Sequence, residues 1–306
     1  MKRHSNIKDY TIMMIPDSGR MLNLNNEFIL TDNLYDSSTT QITNIQSYTT
    51  SFPVKITFPM ILLCKRGKLR IRLNLNEYAL NDNDMIIIPP NSFGECLEIN
   101  PTSQVAVIAS TFQDSISHIT KQTMSIKNHY MQQPVIHLQD TEMNECLTIY
   151  QMMRNKLESS DFSLKKEALS GYLQVLICNA YQYITRYDKD ENYTQNRYQR
   201  IFYRFLEEVQ LHYHEHRQIN YYASILCITP KYLSQIIYQV SGRHGGEWIK
   251  DYVILEAQAL LLTGRYTVQQ VSDQLNFPNS SFFGKYFKAA VGFSPHKYQT
   301  MKLKDM

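Results

Sequence analysis

A chain of 306 residues is too long for one comfortable small domain and suits two, each able to bury its own core. Its composition, 43% hydrophobic and 19% charged, is that of an ordinary soluble protein, and no apolar run approaches the roughly 18 to 20 residues of a membrane span. The net charge of +3 is unremarked by itself, but from Arg197 onward 13 Lys and Arg face 8 Asp and Glu, so the basic excess lies at the C-terminal end, where a phosphate-binding module would need it.

The basic start, Met1-Lys2-Arg3-His4-Ser5-Asn6, has no apolar stretch behind it, so no signal peptide is expected and the chain reads as cytoplasmic, without a membrane partner. The first half then offers strand-like runs over 54–58, 60–64, 68–75, 85–88 and 104–110. The run over 68–75 alternates polar and apolar with period two, as a strand does when one face lies on a core. Turn signals separate the runs at Arg66-Gly67, Asn81-Asp82-Asn83-Asp84 and Pro89-Pro90-Asn91-Ser92. Many short antiparallel strands at this spacing predict a sandwich or small barrel.

After about Gln139 the periodicity becomes helical, over 142–157 and 164–187. The second segment carries a continuous apolar stripe (Leu169, Leu173, Leu176, Ile177, Ala180 and Ile184 among others), which serves either to pack on the strands or to form a homodimer interface. Residues 188–197 are polar and aperiodic and are assigned as the linker between a domain of 1–187 (strands about 20–137, helices about 142–187) and a helical domain of 198–302.

Within that last domain the punctuation carries the inference. A short amphipathic helix over 219–227 is followed by Ile228-Thr229, with Thr229 as N-cap and Pro230 at the first helical position, and a second helix runs to Val240 before Ser241-Gly242. About fifty residues later the arrangement returns: Thr267 caps 268–275, Asn276-Phe277-Pro278 turns the chain, and 279–290 ends at Gly292. A long helix over 247–262 joins the two, which makes two helix-turn-helix units at about 219–240 and 268–290. In such a unit the first helix braces the second, whose polar side chains enter the major groove. Ala223, Leu226, Leu233, Ile236 and Ile237 are assigned inward in the first unit, leaving Lys231, Ser234, Gln235 and Tyr238 outward. In the second, Val271, Leu275, Phe277, Phe282, Phe283 and Phe287 are assigned to the core, with Ser280, Ser281, Lys285 and Lys288 outward.

The segment from Leu275 to Lys288, continuing through Gly292-Phe293-Ser294-Pro295-His296-Lys297-Tyr298, resembles the signature of the AraC/XylS family of regulators. Ala223, Leu226, Thr229-Pro230, Tyr232-Leu233, Gly242 and Trp248-Ile249 extend the resemblance over roughly the last hundred residues, with departures at Val253 and Gln299, where the family often carries arginine. The resemblance implies a transcription regulator, an activator or a repressor according to where its site lies relative to a promoter, that inserts two recognition helices into successive major grooves. Its partners would be double-stranded DNA, RNA polymerase and a second copy of the chain. Carried onto matching positions, it implies base contacts from Lys231, Ser234, Gln235, Ser280, Ser281 and Lys285 and phosphate contacts from Thr229, Tyr238 and Lys288. Trp248 is assigned to the core.

The N-terminal half resembles a cupin-like sensing domain through Lys65-Arg66-Gly67-Lys68-Leu69, Tyr78-Ala79-Leu80 and Asn83 to Asn91. The implied fold class is multidomain α+β: a cupin-like β-barrel with trailing helices, then an all-α double helix-turn-helix domain. Residues 51–110 contain no histidine, so a metal-dependent cupin enzyme is not expected, and the barrel is read as a small-molecule pocket or an interaction scaffold. Phe52, Phe58, Tyr78 and Phe93 either line such a pocket or fill a core; no effector-binding residue is assigned. His212, His214, Glu215 and His216 resemble a ligand cluster, but on a helix only His212 and His216 share a face, which favours a surface role over a metal. Cys64, Cys96, Cys146, Cys178 and Cys227 are scattered without a CxxC and are expected reduced and buried. No catalytic residue and no cofactor are assigned. The alternative readings are an enzyme carrying this DNA module, which would need a Pro-Cys-His site or a zinc cluster, and a regulator that binds a partner protein instead of an effector.

Overall fold

The computed structural model describes residues 20–34, 54–112, 134–190 and 197–302. Phe52, and residues 191–196 of the assigned linker, lie outside these. The chain divides into two compact units, one of Met1–Ser51 and Ile56–Tyr193, the other of Phe52–Lys55 and Thr194–Met306.

The strands are β1 (Leu22–Leu24), β2 (Phe28–Asp32), β3 (Val54–Ile56), β4 (Met60–Arg66), β5 (Leu69–Leu73), β6 (Asn76–Leu80), β7 (Asp84–Ile88), β8 (Ser92–Ile99), β9 (Gln104–Ser110) and β10 (Val135–His137). They form a six-stranded sheet in the order β1-β2-β9-β4-β7-β10 and a four-stranded sheet in the order β3-β8-β5-β6. Among the described residues the strands therefore do not close into one hydrogen-bonded barrel, because β1, β10, β3 and β6 each leave an edge unpaired. On β5 the period-two pattern works as expected. Leu69, Ile71 and Leu73 are buried, while Arg70 pairs with Glu98 across the strand at 3.7 Å and Arg72 with Glu77 at 2.6 Å. The run expected to continue to Leu75 stops at Leu73. Asn74 takes φ 55, turning the chain within two residues into β6, so that Leu73 faces Asn76.

Helices α1 (Asp140–Glu158) and α2 (Lys165–Asp190) follow. Met143, Cys146, Tyr150 and Met153 of α1 and Leu169, Leu173, Leu176, Ala180 and Ile184 of α2 share one core with Phe28, Leu30, Leu63, Met85 and Ile108 of the six-stranded sheet. The apolar stripe of α2 is thus spent inside its own unit. Asp32, fully buried, is tolerated because Arg154 Nη1 donates to it at 2.8 Å and the Tyr150 hydroxyl at 2.9 Å, tying α1 to β2. Burial and the Asp32 charge together hold the Tyr150 hydroxyl well above the usual phenol range. Phe58 and Phe93 are core residues.

The five cysteines divide. Cys64 and Cys146 are buried, and their thiols are pushed up to about 12, chiefly by desolvation. Cys178 and Cys227 are exposed, contrary to the sequence expectation: Cys178 falls on the outward side of α2 while Leu176, Ile177 and Ala180 turn in, and Cys227 stands in the left-handed region at φ 54, in a turn outside any helix or strand.

In the second unit the elements are α3 (Arg197–His212), α4 (Ile219–Ile225), α5 (Pro230–Ser241), α6 (Gly245–Leu262), α7 (Val268–Gln274), α8 (Ser280–Val291) and α9 (Pro295–Lys302). Helix α6 is its axis. From Trp248 to Leu262 nearly every side chain is buried, the pattern of a helix covered on all sides, and a His244–Glu247 capping box fixes its start. No helix of the described residues is long and apolar enough to cross a membrane.

Candidate nucleic-acid interface

The two turns between paired helices are built alike. In the first, Leu226 N–H donates to Tyr222 O at 3.0 Å and Ile228 N–H to Ala223 O at 3.0 Å, with Cys227 in the left-handed region at φ 54. In the second, Leu275 N–H donates to Val271 O and Phe277 N–H to Ser272 O, both at 3.0 Å, with Asn276 at φ 52. These bonds satisfy carbonyls orphaned at the helix ends and force each chain to turn sharply after one left-handed residue. Each second helix then starts on a side-chain cap: Thr229 Oγ1 accepts from Tyr232 N–H at 3.2 Å, and Asn279 Oδ1 from Phe282 N–H at 2.8 Å. Each ends on a left-handed glycine, Gly242 at φ 69 and Gly292 at φ 87.

The inward faces are apolar. Leu233, Ile236 and Ile237 of α5, and Phe283 and Phe287 of α8, are essentially inaccessible. The opposite arcs are polar. On α5, Lys231 and Gln235 are exposed and Ser234 is half-buried; on α8, Ser281, Lys285 and Lys288 are exposed and Ser280 is half-buried. Tyr238 is exposed and its ring stacks on His244, 5.1 Å between centroids. Thr229 is exposed, with its oxygen engaged as the cap and its hydroxyl proton still available to an acceptor.

Phe282 does not join the core. It is 54% exposed, because Phe283 and Phe287, one turn apart, take the inward positions and residue 282 lies about 100° round the helix from 283. Trp248 is buried, with the Arg243 guanidinium 4.5 Å from its ring and Phe202 edge-on at 5.5 Å. At the two positions where the family often has arginine, Val253 is fully buried and Gln299 donates to Tyr266 O at 2.9 Å, so both are structural here.

Within the C-terminal unit, a brace to the second helix-turn-helix was not visible in the sequence. In the loop after α3, Arg217 stacks its guanidinium 3.8 Å from the Phe277 ring and donates to Leu275 O, and Asn276 Nδ2 donates to His214 O at 3.4 Å. The segment leading into the first helix-turn-helix thereby holds the turn of the second. Burial pushes the Arg217 guanidinium below its usual value, and its Nε has no partner. The histidines take packing roles, with His212 and His216 6.4 Å apart between ring centroids and both against Tyr221. His214 pairs with the buried Glu256 of α6, and His216 stacks on Tyr221. Burial raises the Glu256 carboxyl, but the His214 hydrogen bond and neighbouring positive charge more than reverse this and bring it to about 2. Among the described residues no group of three His, Cys, Asp or Glu is placed to hold a metal.

Residues 222–301 match the family described as "Helix-turn-helix domain". The C-terminal unit is a double helix-turn-helix domain. Its sequence is 30% identical over 84 residues to the arabinose operon regulatory protein of Salmonella typhimurium, a match spanning 28% of this chain and 30% of that protein. Over a longer stretch of 244 residues, 79% of this chain and 82% of the relative, it is 21% identical to the HTH-type transcriptional regulator YpdC of Escherichia coli. Among solved structures, fatty-acid-bound ToxT of Vibrio cholerae aligns at 13% identity and TM-score 0.43, covering 82% of this chain and 89% of that one.

Proposed function

We propose that the chain is a sequence-specific DNA-binding transcription regulator that places α5 and α8 in successive major grooves on one face of the duplex. The observation that carries this reading is the duplicated unit itself: two second helices with matching turns and caps, held on one buried helix, each presenting a polar arc to solvent. Lys231, Ser234, Gln235, Ser280, Ser281 and Lys285 are the base readers in this account. Lysine donates to guanine O6 and N7, glutamine pairs with adenine, and serine adapts to either. Thr229, Tyr238 and Lys288 contact phosphate and set register.

For the rest of the chain, residues 1–187 are a cupin-like sensing domain, 188–197 the linker and 198–302 the DNA-binding domain. The alternation of strands between two antiparallel sheets, β2-β9-β4-β7 in one and β3-β8-β5-β6 in the other, favours the jelly-roll form of that fold over a closed barrel. A small molecule or a partner protein acts there, in the cytoplasm, to modulate transcription by RNA polymerase. If the chain dimerises through α2, it uses the face opposite the buried stripe, where Gln174, Val175 and Cys178 are exposed.

Selection of bound duplexes from a random library by the full chain tests the reading. The expected winner is a bipartite motif whose halves lie about one helical turn apart, with affinity falling steeply as salt rises. Uniform binding of all sequences, or none, would overturn it.

A further inference from the structure

Phe282 is an exposed phenyl ring on a helix whose other aromatics pack inward. Its ring meets Phe277 at 6.3 Å between centroids and 41° between planes, so one side is supported while the remainder projects to solvent. Ser281 and Lys285 lie beside it on the exposed arc, and Lys288 follows on the next turn. Leaving a ring in water forgoes the stabilisation that burial would bring, so a second surface that covers it is favoured. The surroundings, two lysines and two serines with no neighbouring exposed aliphatic side chain on α8 until Ala289, suit a polyanion better than an apolar protein face. Within the major groove the apolar group on offer is the C5-methyl of thymine.

We propose that Phe282 is a specificity-determining residue that packs against a thymine methyl in the half-site entered by α8. This rests on the DNA-binding function proposed above and assigns one base identity to one side chain. The tilted Phe277 ring, 6.3 Å away between centroids, already gives Phe282 an aromatic neighbour, and the methyl would meet the part of the ring left exposed.

The test uses the full chain and its selected duplex. Each thymine is replaced singly by deoxyuridine, which removes one methyl and leaves every hydrogen-bonding group intact. Affinities are measured at fixed salt for wild type, Phe282→Ser and Phe282→Leu. One substitution in the α8 half-site should weaken wild type about fourfold, the value of one buried methyl, and should leave Phe282→Ser unchanged. Phe282→Leu should retain part of the discrimination. If every deoxyuridine substitution affects wild type and Phe282→Ser alike while selective binding persists, the assignment is wrong and the DNA-binding function stands. If the chain selects no duplex, both fall. A change in oligomeric state for Phe282→Ser, with no deoxyuridine effect, would assign the ring to a protein contact and overturn the proposal.

Discussion

Two glycines on α8 look alike in the sequence and should respond to alanine with opposite signs. At both Gly284 and Gly292 an added Cβ would meet nothing within 4 Å, so sterics with neighbours contribute nothing to either substitution. Gly284 sits in the helix interior, where alanine is favoured by about 0.8 to 1 kcal/mol. Gly292 stands at φ 87, where a Cβ crowds the following carbonyl and costs about 1 to 2 kcal/mol. Gly284→Ala should therefore stabilise the C-terminal unit and Gly292→Ala destabilise it, with a gap of about 2 kcal/mol. Urea unfolding of the full chain without DNA, followed by tryptophan fluorescence, reads this unit selectively because Trp248 is the one tryptophan in the sequence. With a slope of about 1 to 3 kcal/mol per molar urea, the two midpoints should separate by about 1 M. Midpoints that move in the same direction would refute the reasoning that backbone conformation, and not space, decides these positions.

Lys285→Ala should cost roughly 1 to 3 kcal/mol at the selected site and relax preference at one base position, whereas Lys288→Ala should weaken all sequences about equally and lower the salt slope by about 1; an unchanged selection profile for Lys285→Ala would misplace the second recognition helix. Cys227→Gly should raise stability by about 0.5 to 1 kcal/mol by relieving the left-handed backbone at φ 54, more than Asn276→Gly does, since asparagine tolerates that conformation better; melting temperatures of the two variants decide. Arg217→Ala should loosen the hold on the second turn. Measured on duplexes with varied spacing between the half-sites, it should accept a wider range of spacings than wild type, and an unchanged spacing profile would deny the brace a part in setting the distance between the two recognition helices.

What the sequence made legible was local. Thr229-Pro230, Thr267, Gly242 and Gly292 mark helix starts and stops through chemistry contained within four residues, so these helices of the C-terminal unit can be read directly, whereas Asn279, read as the first helical residue, proves to be the cap. Phase was harder. Phe282-Phe283 offers two equivalent rings, and only packing against the rest of the unit decides which one turns in. Strand β8, Ser-Phe-Gly-Glu-Cys-Leu-Glu-Ile, lacks clean alternation and contains a glycine, so its sheet position follows from pairing with β5 and not from its own pattern. The hairpin at Asn74 was hidden by alternation that continues through the turn. Arg217 over Phe277, His214 with Glu256 and Asp32 with Arg154 join residues far apart in the chain, and nothing in either local neighbourhood announces the partner. The same limit applied to the α2 stripe, whose periodicity reports burial without saying against what.

Simultaneous entry of both second helices into the major groove can be read by hydroxyl-radical footprinting of the full chain on its selected duplex. Two protected patches about one helical turn apart on the same face are predicted, with Lys231→Ala weakening one patch and Lys285→Ala the other. A single patch, affected alike by both substitutions, would mean that the two helices do not enter the groove together.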